Sequence, residues 1–140
     1  AMAIIVPNGA EQTALKMIIN YASPENLVLK LYTNNYTPIA TSTESDFTIA
    51  SGGGYSSVTL TGASWTVSTN GSGQAEAVYA QQTFTFTGAL SGSATIYGWI
   101  LVQSSSGYLI AAEKSANTFT PASNGDTWYI TPRLQLQSIN

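Results

Sequence analysis

The chain contains no cysteine and no histidine, and only 8% of its 140 residues are charged. Without cysteine there is neither a disulfide framework nor a thiolate metal site. Without histidine, the usual general base near neutral pH and the commonest metal ligand are both missing. Soluble proteins ordinarily carry about 25% charged residues, so this surface has to be polar without being charged. Serine and threonine supply that polarity: 17 Ser and 18 Thr make up a quarter of the chain.

Basic residues are equally sparse. Lys16, Lys30, Lys114 and Arg133 are scattered along the sequence, and the net charge is −3. Nucleic acid is therefore a poor partner, because phosphate contacts need clustered Lys and Arg. No apolar run approaches the roughly 18 residues of a membrane span. The Ala3–Val6 stretch lacks a basic flank and is too brief for a secretory segment, so synthesis in the cytoplasm with no signal peptide is expected. Ala1 ahead of Met2 reads as a cloning remnant, with the native chain starting at Met2. A length of 140 residues predicts one domain spanning 1–140, long enough for one core and too short for two.

What is present is mostly strand. Asn8 with Glu11 three residues later predicts a capped helix over about 9–22, ending before Pro24. Leu15, Ile18, Ile19 and Ala22 fall on one face of it and are expected to lie on the body. From residue 27 to about 137 the period is two. Leu27, Leu29 and Leu31 alternate with Val28, Lys30 and Tyr32; Val58 and Leu60, Trp65 and Val67, and Phe84 and Phe86 repeat the pattern. Trp128, Ile130, Leu134 and Leu136 share a face near the end, with Pro132 marking an edge or bulge inside that strand. Asn70–Gly73, Gly88–Ser93, Ser104–Gly107 and Ser123–Asp126 supply the turns. About eight short strands and one N-terminal helix predict an all-β, antiparallel sandwich of jelly-roll or Greek-key type. Residues 34–56 form a long connection, of the kind that is functional or packs on a neighbour.

Candidate chemistry is thin. Serine catalysis needs an adjacent base and an oxyanion hole, and the chain has no histidine and no Gly-x-Ser-x-Gly elbow. Glu44 and Asp46 are the only close acidic pair, and as loop acids they read as solvated. Asn124 with Asp126 could offer oxygens to calcium, but Asn-Gly-Asp is explained by its turn. Gly52-Gly53-Gly54 is followed by no Gly-Lys-Ser/Thr and opens no helix, so it is not a phosphate loop. No catalytic residue, metal site or cofactor is expected.

Contacts are more informative. Trp65 and Trp128 share faces with aliphatic residues and read as core. The strand Ala94–Gln103 is apolar on both sides, Ile96, Gly98, Ile100 and Val102 against Tyr97, Trp99 and Leu101. A strand with one solvated face should be polar there, so something covers the second face. The candidates are the helix, the long connection or another subunit, which makes Tyr97, Trp99 and Leu101 candidate partner contacts. Ile4-Ile5-Val6 reads either as an arm that docks on a neighbour or as an ordinary first strand. Tyr36 and Tyr55, beside Asn34 and Asn35 in the long connection, are the aromatic pair that a carbohydrate-recognising module would use.

Four stretches carry a family resemblance: Leu29–Pro38 (LKLYTNNYTP), Gly53-Gly54-Tyr55 leading to Leu60 and Trp65, Ile96-Tyr97-Gly98-Trp99, and Trp128-Tyr129-Ile130-Thr131-Pro132. Together they resemble small proteins encoded among the virion structural genes of tailed bacteriophages, including cyanobacterial phages. Those proteins look like capsid decoration, or cement, subunits and are often trimeric. The resemblance covers roughly residues 4–137 and rests on strand and turn patterns, with no active-site residue to carry over. It implies a jelly-roll-like accessory protein of the virion, with the major capsid protein and further copies of itself (a homotrimer) as partners.

Overall fold

The computed structural model describes residues 4–19, 21 and 23–136. It is mostly β, with antiparallel sheets and one N-terminal helix. Strands β1 (Leu27–Tyr32), β2 (Val58–Leu60), β6 (Ile96–Gln103) and β7 (Leu109–Phe119) form a four-stranded sheet in the order β2-β1-β6-β7. A second layer holds β3 (Thr66–Thr69), β4 (Ala75–Val78) and β9 (Arg133–Leu136) in the order β3-β4-β9, beside a pair formed by β5 (Gln82–Thr85) and β8 (Thr127–Ile130).

The second layer is one bent ribbon. Val78 faces Arg133 and Gln82 faces Ile130, so residues 79–81 on one side oppose residues 131–132 on the other. An extra residue of this kind is a β-bulge, which bends the strand that carries it. Pro132 sits at that bend, where its missing N–H leaves no ladder bond unmade, and its carbonyl accepts from the Tyr79 N–H at 3.0 Å. The interruption read from Pro132 is therefore real.

The main core lies between the layers. Leu29, Leu31, Leu60, Trp99, Leu101 and Ala111 of the large sheet meet Phe84, Phe86, Leu90 and Ile130 from the opposite side. Trp65 and Trp128 pack against this cluster, as their shared faces with aliphatic residues predict. Burying a Leu or Phe side chain fully is worth roughly 1.5–3 kcal/mol, so these alternating residues set which face of each strand turns inward.

The other face of the large sheet is closed by the chain itself. Tyr32, Ile100, Val102, Leu109 and Ala112 form a second buried cluster with Phe47 from the long connection, and Tyr36, Ile49 and Tyr97 pack against it. The connection is held down by Asn34, whose Nδ2 donates to the Asp46 carbonyl (2.9 Å) and whose Oδ1 accepts from Thr48 N–H (2.8 Å). Lys30 reaches Glu44 at 2.9 Å, and Ala50 N–H donates to the Leu31 carbonyl at 2.9 Å. Of the three candidate covers, the long connection is the one observed.

Gly52, Gly53 and Gly54 explain how that connection leaves the sheet. All three have positive φ (76°, 57° and 75°), and a Cβ on Gly53 would lie 2.7 Å from the carbonyl oxygens of Gly88 and Ala89. Only glycine combines that backbone with that approach. The following Tyr55 then completes a ladder: Leu31 N–H, beyond the reach of the short β2, donates to Tyr55 Oη at 3.1 Å.

Helix α1 departs from expectation in extent and in face. It spans Asn8–Ile18, with Pro7 in the N-cap position and no side-chain cap, so the Asn8–Glu11 capping box is not formed. Asn8 instead donates its N–H to the Ala40 carbonyl at 3.0 Å. The predicted inward face is turned out: Leu15, Ile18 and Ile19 are exposed, whereas Ala10 and Thr13 are buried. The small residues Ala10 and Thr13 are the ones that face the body, where α1 meets β7. Ala22, the fourth residue of the predicted face, lies outside the described residues.

Candidate functional site

The two layers part at the end where α1 sits, leaving a cleft of about 370 Å³. Ala14 and Met17 of α1, Leu27 and Ile110 of the large sheet, and Ala77 and Leu134 of the second layer line it. The space exists because alanines stand where larger residues would fill it, at Ala10 and Ala14 on the helix and Ala75 and Ala77 on β4. At its mouth stand Val67 on β3 and Leu136 on β9, both exposed.

The polar groups around the cleft are already engaged. Glu25 accepts the N–H groups of Ser105 (2.8 Å) and Ser106 (3.1 Å), closing the β6–β7 turn. Glu76 accepts from Gln135 Nε2 at 2.7 Å and lies 3.7 Å from Arg133. Thr13 Oγ1 donates to the Gly9 carbonyl, and Gln103 Oε1 accepts from the Ser106 hydroxyl. The cleft is therefore built for apolar contact rather than for holding a charge.

The same holds for the acids singled out by sequence. Glu44 is the partner of Lys30, and Asp46 caps its own turn by accepting Thr43 N–H at 2.8 Å. Asp126 accepts from Ala122 and Ser123 N–H, both at 2.9 Å, as the turn reading of Asn-Gly-Asp implies. Among the described residues no three Asp, Glu, His or Cys side chains are grouped as metal ligands, and no helix is long and apolar enough to cross a membrane. The cations are tied as well. Lys114 reaches Asn35 Oδ1 at 2.6 Å, Lys16 lies 5.9 Å from the centre of the Tyr21 ring, and Lys30 and Arg133 have the carboxylates named above.

The candidate contact residues are scattered. Trp99 (4% exposed) and Leu101 (0%) lie in the main core and present no surface to a partner. Tyr97 is half-buried against the second cluster. Tyr36 and Tyr55 are also half-buried and face opposite sides of the large sheet, Tyr36 against Phe47 and Tyr55 stacked on Phe84 at 6.0 Å. Their hydroxyls bond to Ser42 and to Leu31 N–H, so they form no exposed pair. Ile4, Ile5 and Val6 lie along their own domain: Ile5 exchanges two backbone bonds with Ala112 (2.9 and 3.1 Å), Ile4 packs on the core, and Val6 lines the cleft. Of the two readings of this arm, the structure shows intramolecular pairing.

Leu15, Ile18, Ile19, Val67 and Leu136, expected on inward faces, are among the large apolar residues that the structure leaves open. A signal was there. The C-terminal half of α1 is apolar on two sides, Ala14 and Met17 on one and Leu15, Ile18 and Ile19 on the other, whereas a surface helix buries a single stripe.

Four carboxylates are shifted by their surroundings. Backbone N–H groups hold Glu25 (from Ser105 and Ser106) and Asp126 (from Ser123 and Ala122) below the usual range, and the Gln135 amide does the same for Glu76. Glu113 moves the other way, raised by burial and only partly relieved by Trp99 Nε1–H at 3.2 Å. A depressed group stabilises the fold above the ordinary carboxylate range of about pH 4, and that contribution is lost as pH falls through its folded value. A charged Glu113 opposes folding at neutral pH, and protonation on acidification removes the penalty. Glu113→Gln is therefore expected to raise the thermal midpoint at pH 7 and to change it little at about pH 3. Circular dichroism melts at the two pH values check this, and a variant less stable than wild type at pH 7 contradicts it.

No protein-family model, no curated protein and no solved structure matches the chain.

Proposed function

We propose that the chain is a non-enzymatic virion structural protein, of the capsid decoration or cement type, acting through protein–protein contacts. The observation that carries this reading is where the large apolar side chains remain open. Leu15 and Ile18 on α1, Ile19 and Tyr21 just after it, and Val67 and Leu136 at the cleft mouth are six of the nine exposed large hydrophobics among the described residues, while the polar groups of the cleft are satisfied internally. A surface of that kind suits shape-driven association rather than chemistry. The topology is compatible with the jelly-roll or Greek-key class. The chain passes from the large sheet (β1, β2) to the second layer (β3–β5), back (β6, β7), and across again (β8, β9). Under this reading the partners are the major capsid protein and further copies of the chain, at the virion surface after synthesis in the host cytoplasm.

The test is co-sedimentation with empty, expanded heads of the virus that encodes the chain. Saturable binding that raises the temperature at which the heads disrupt is expected. A protein that stays in the supernatant at high micromolar concentration sinks the proposal. The carbohydrate alternative gains nothing from the structure, since Tyr36 and Tyr55 form no exposed platform.

A further inference from the structure

We infer that Asn70, at the tip of the β3–β4 hairpin, is a site of spontaneous covalent modification, the one Asn-Gly step of three that the fold leaves open to ring closure. The chain holds Asn8-Gly9, Asn70-Gly71 and Asn124-Gly125. At such a step the backbone nitrogen of the glycine attacks Cγ of the asparagine. Its proton passes to water, the new N–Cγ bond closes a succinimide ring, and the side-chain nitrogen leaves as ammonia. Water then opens the ring at either carbonyl, giving aspartate or isoaspartate. Glycine favours the attack because no Cβ shields its nitrogen.

The reaction needs a glycine N–H that is not tied up as a donor and a carboxamide folded over it. Asn124 fails the first condition. Gly125 N–H donates to the Phe86 carbonyl at 2.8 Å, and that bond has to open before the nitrogen can react. Asn8 fails the second. It is the first residue of α1, and a helical backbone tilts Cβ toward the helix N-terminus, away from the nitrogen that follows. Asn70 meets both. Gly71 is exposed, and among the described residues its N–H donates to no acceptor. Asn70 Oδ1 accepts the N–H groups of Ser72 (2.9 Å) and Gln74 (3.0 Å), which folds the carboxamide back across Gly71. Those two donors also face the oxygen on which negative charge gathers as the ring closes, as in the stabilisation of tetrahedral intermediates of acyl transfer.

The product differs from the parent in ways the hairpin feels. Asn70 Nδ2 donates to Gln74 Oε1 at 3.0 Å and helps to keep Glu76 charged. A carboxylate in its place loses that donor, sets a second negative charge near Glu76 and adds one unit to the net charge of −3. Isoaspartate further inserts a carbon into a turn closed by Asn70 N–H on the Gln74 carbonyl (2.9 Å) and Gly73 N–H on the Asn70 carbonyl (3.0 Å). β3 is an edge strand with every residue exposed, so it is the element that loosens.

Incubating the native full chain in mildly alkaline buffer, with peptide mass spectrometry of all three steps, tests this. Asn70 is expected to convert on the order of tenfold faster than Asn8 or Asn124, with isoaspartate among its products. In concentrated urea the three should convert at similar rates, because the selection belongs to the fold. Gly71→Ala is the chemical control. A Cβ there meets nothing within 4 Å and the backbone has no positive φ, so the fold is kept. The shielded nitrogen should slow conversion of Asn70 on the order of tenfold. A native Asn70 that converts no faster than Asn8 or Asn124 overturns the inference. So does selectivity that persists in urea, or a folded Gly71→Ala variant that converts as fast as wild type.

Discussion

Gly98→Ala is expected to destabilise the protein by about 3 kcal/mol or more, at the upper end of what overpacking costs. Gly98 lies in β6 between Tyr32 of β1 and Lys114 of β7. A Cβ placed there would overlap the Glu113 carbonyl oxygen and come within 2.8 Å of Cε1 and Oη of Tyr32. Neither neighbour has room to give. The Glu113 oxygen belongs to the β7 backbone, and Tyr32 is fully buried. Its ring is wedged edge-on to Phe47 at 4.8 Å, and its hydroxyl donates to the Tyr36 carbonyl at 3.1 Å. The constraint is space rather than backbone conformation, since Gly98 is not among the positive-φ glycines. Urea titration followed by fluorescence measures the effect. A loss below about 1 kcal/mol would show that the β6–β7 ladder yields, against the packing described here.

Phe47→Ala should cost about as much, 3–5 kcal/mol, the usual range for emptying a buried phenylalanine site. Phe47 is the centre of the cover over the second face of the large sheet. Its ring meets Tyr32 at 4.8 Å and Tyr36 at 5.1 Å, both edge-on. Removing it uncovers Ile100 and Val102, so stability should fall and binding of an apolar dye should rise together. Hydrogen exchange separates this from a general weakening: amides of residues 33–50 should lose protection before those of Leu29 and Leu101, whose side chains lie in the other core. Uniform loss of protection would mean that the cover and the sandwich unfold as one unit.

Strand alternation made most of this architecture legible. β5 and β8 follow the in–out pattern, with Phe84 and Ile130 buried and Thr83, Thr85 and Tyr129 exposed, and β1 alternates between two cores, Leu29 and Leu31 in one and Tyr32 in the other. The strand Ala94–Gln103 was readable as apolar on both sides, and it is buried on both sides. Its register was less legible. Ile96 packs with Trp99 and Leu101 rather than opposite them, because a register shift between Ile96 and Gly98 re-aims it. The far half of β7 carries no alternation at all in Glu113–Thr118, and it is a strand through pairing with β6 rather than through its own burial. Cover by the long connection rests on Asn34, Phe47 and Lys30, contacts between residues 12 to 14 positions apart or more that no local period displays.

The helix misled for a different reason. Its larger apolar face was the natural one to bury, yet Ala10 and Thr13 are the residues turned inward and Leu15, Ile18 and Ile19 the ones turned out. The candidate site follows from that reversal, since an inward Leu15, Ile18 and Ile19 would have left α1 with no open stripe.

The internally tied cations carry a kinetic consequence. With Lys30 and Arg133 paired to acids of the same chain and a net charge of −3, little positive field extends outward to draw in an anionic partner. Encounter then proceeds at the unsteered rate, about 10⁵–10⁶ M⁻¹s⁻¹, and is governed by local concentration rather than by attraction at a distance. Dilute salt should leave that rate almost untouched, whereas sulfate, by penalising apolar surface in water, should lengthen the lifetime of whatever complex forms.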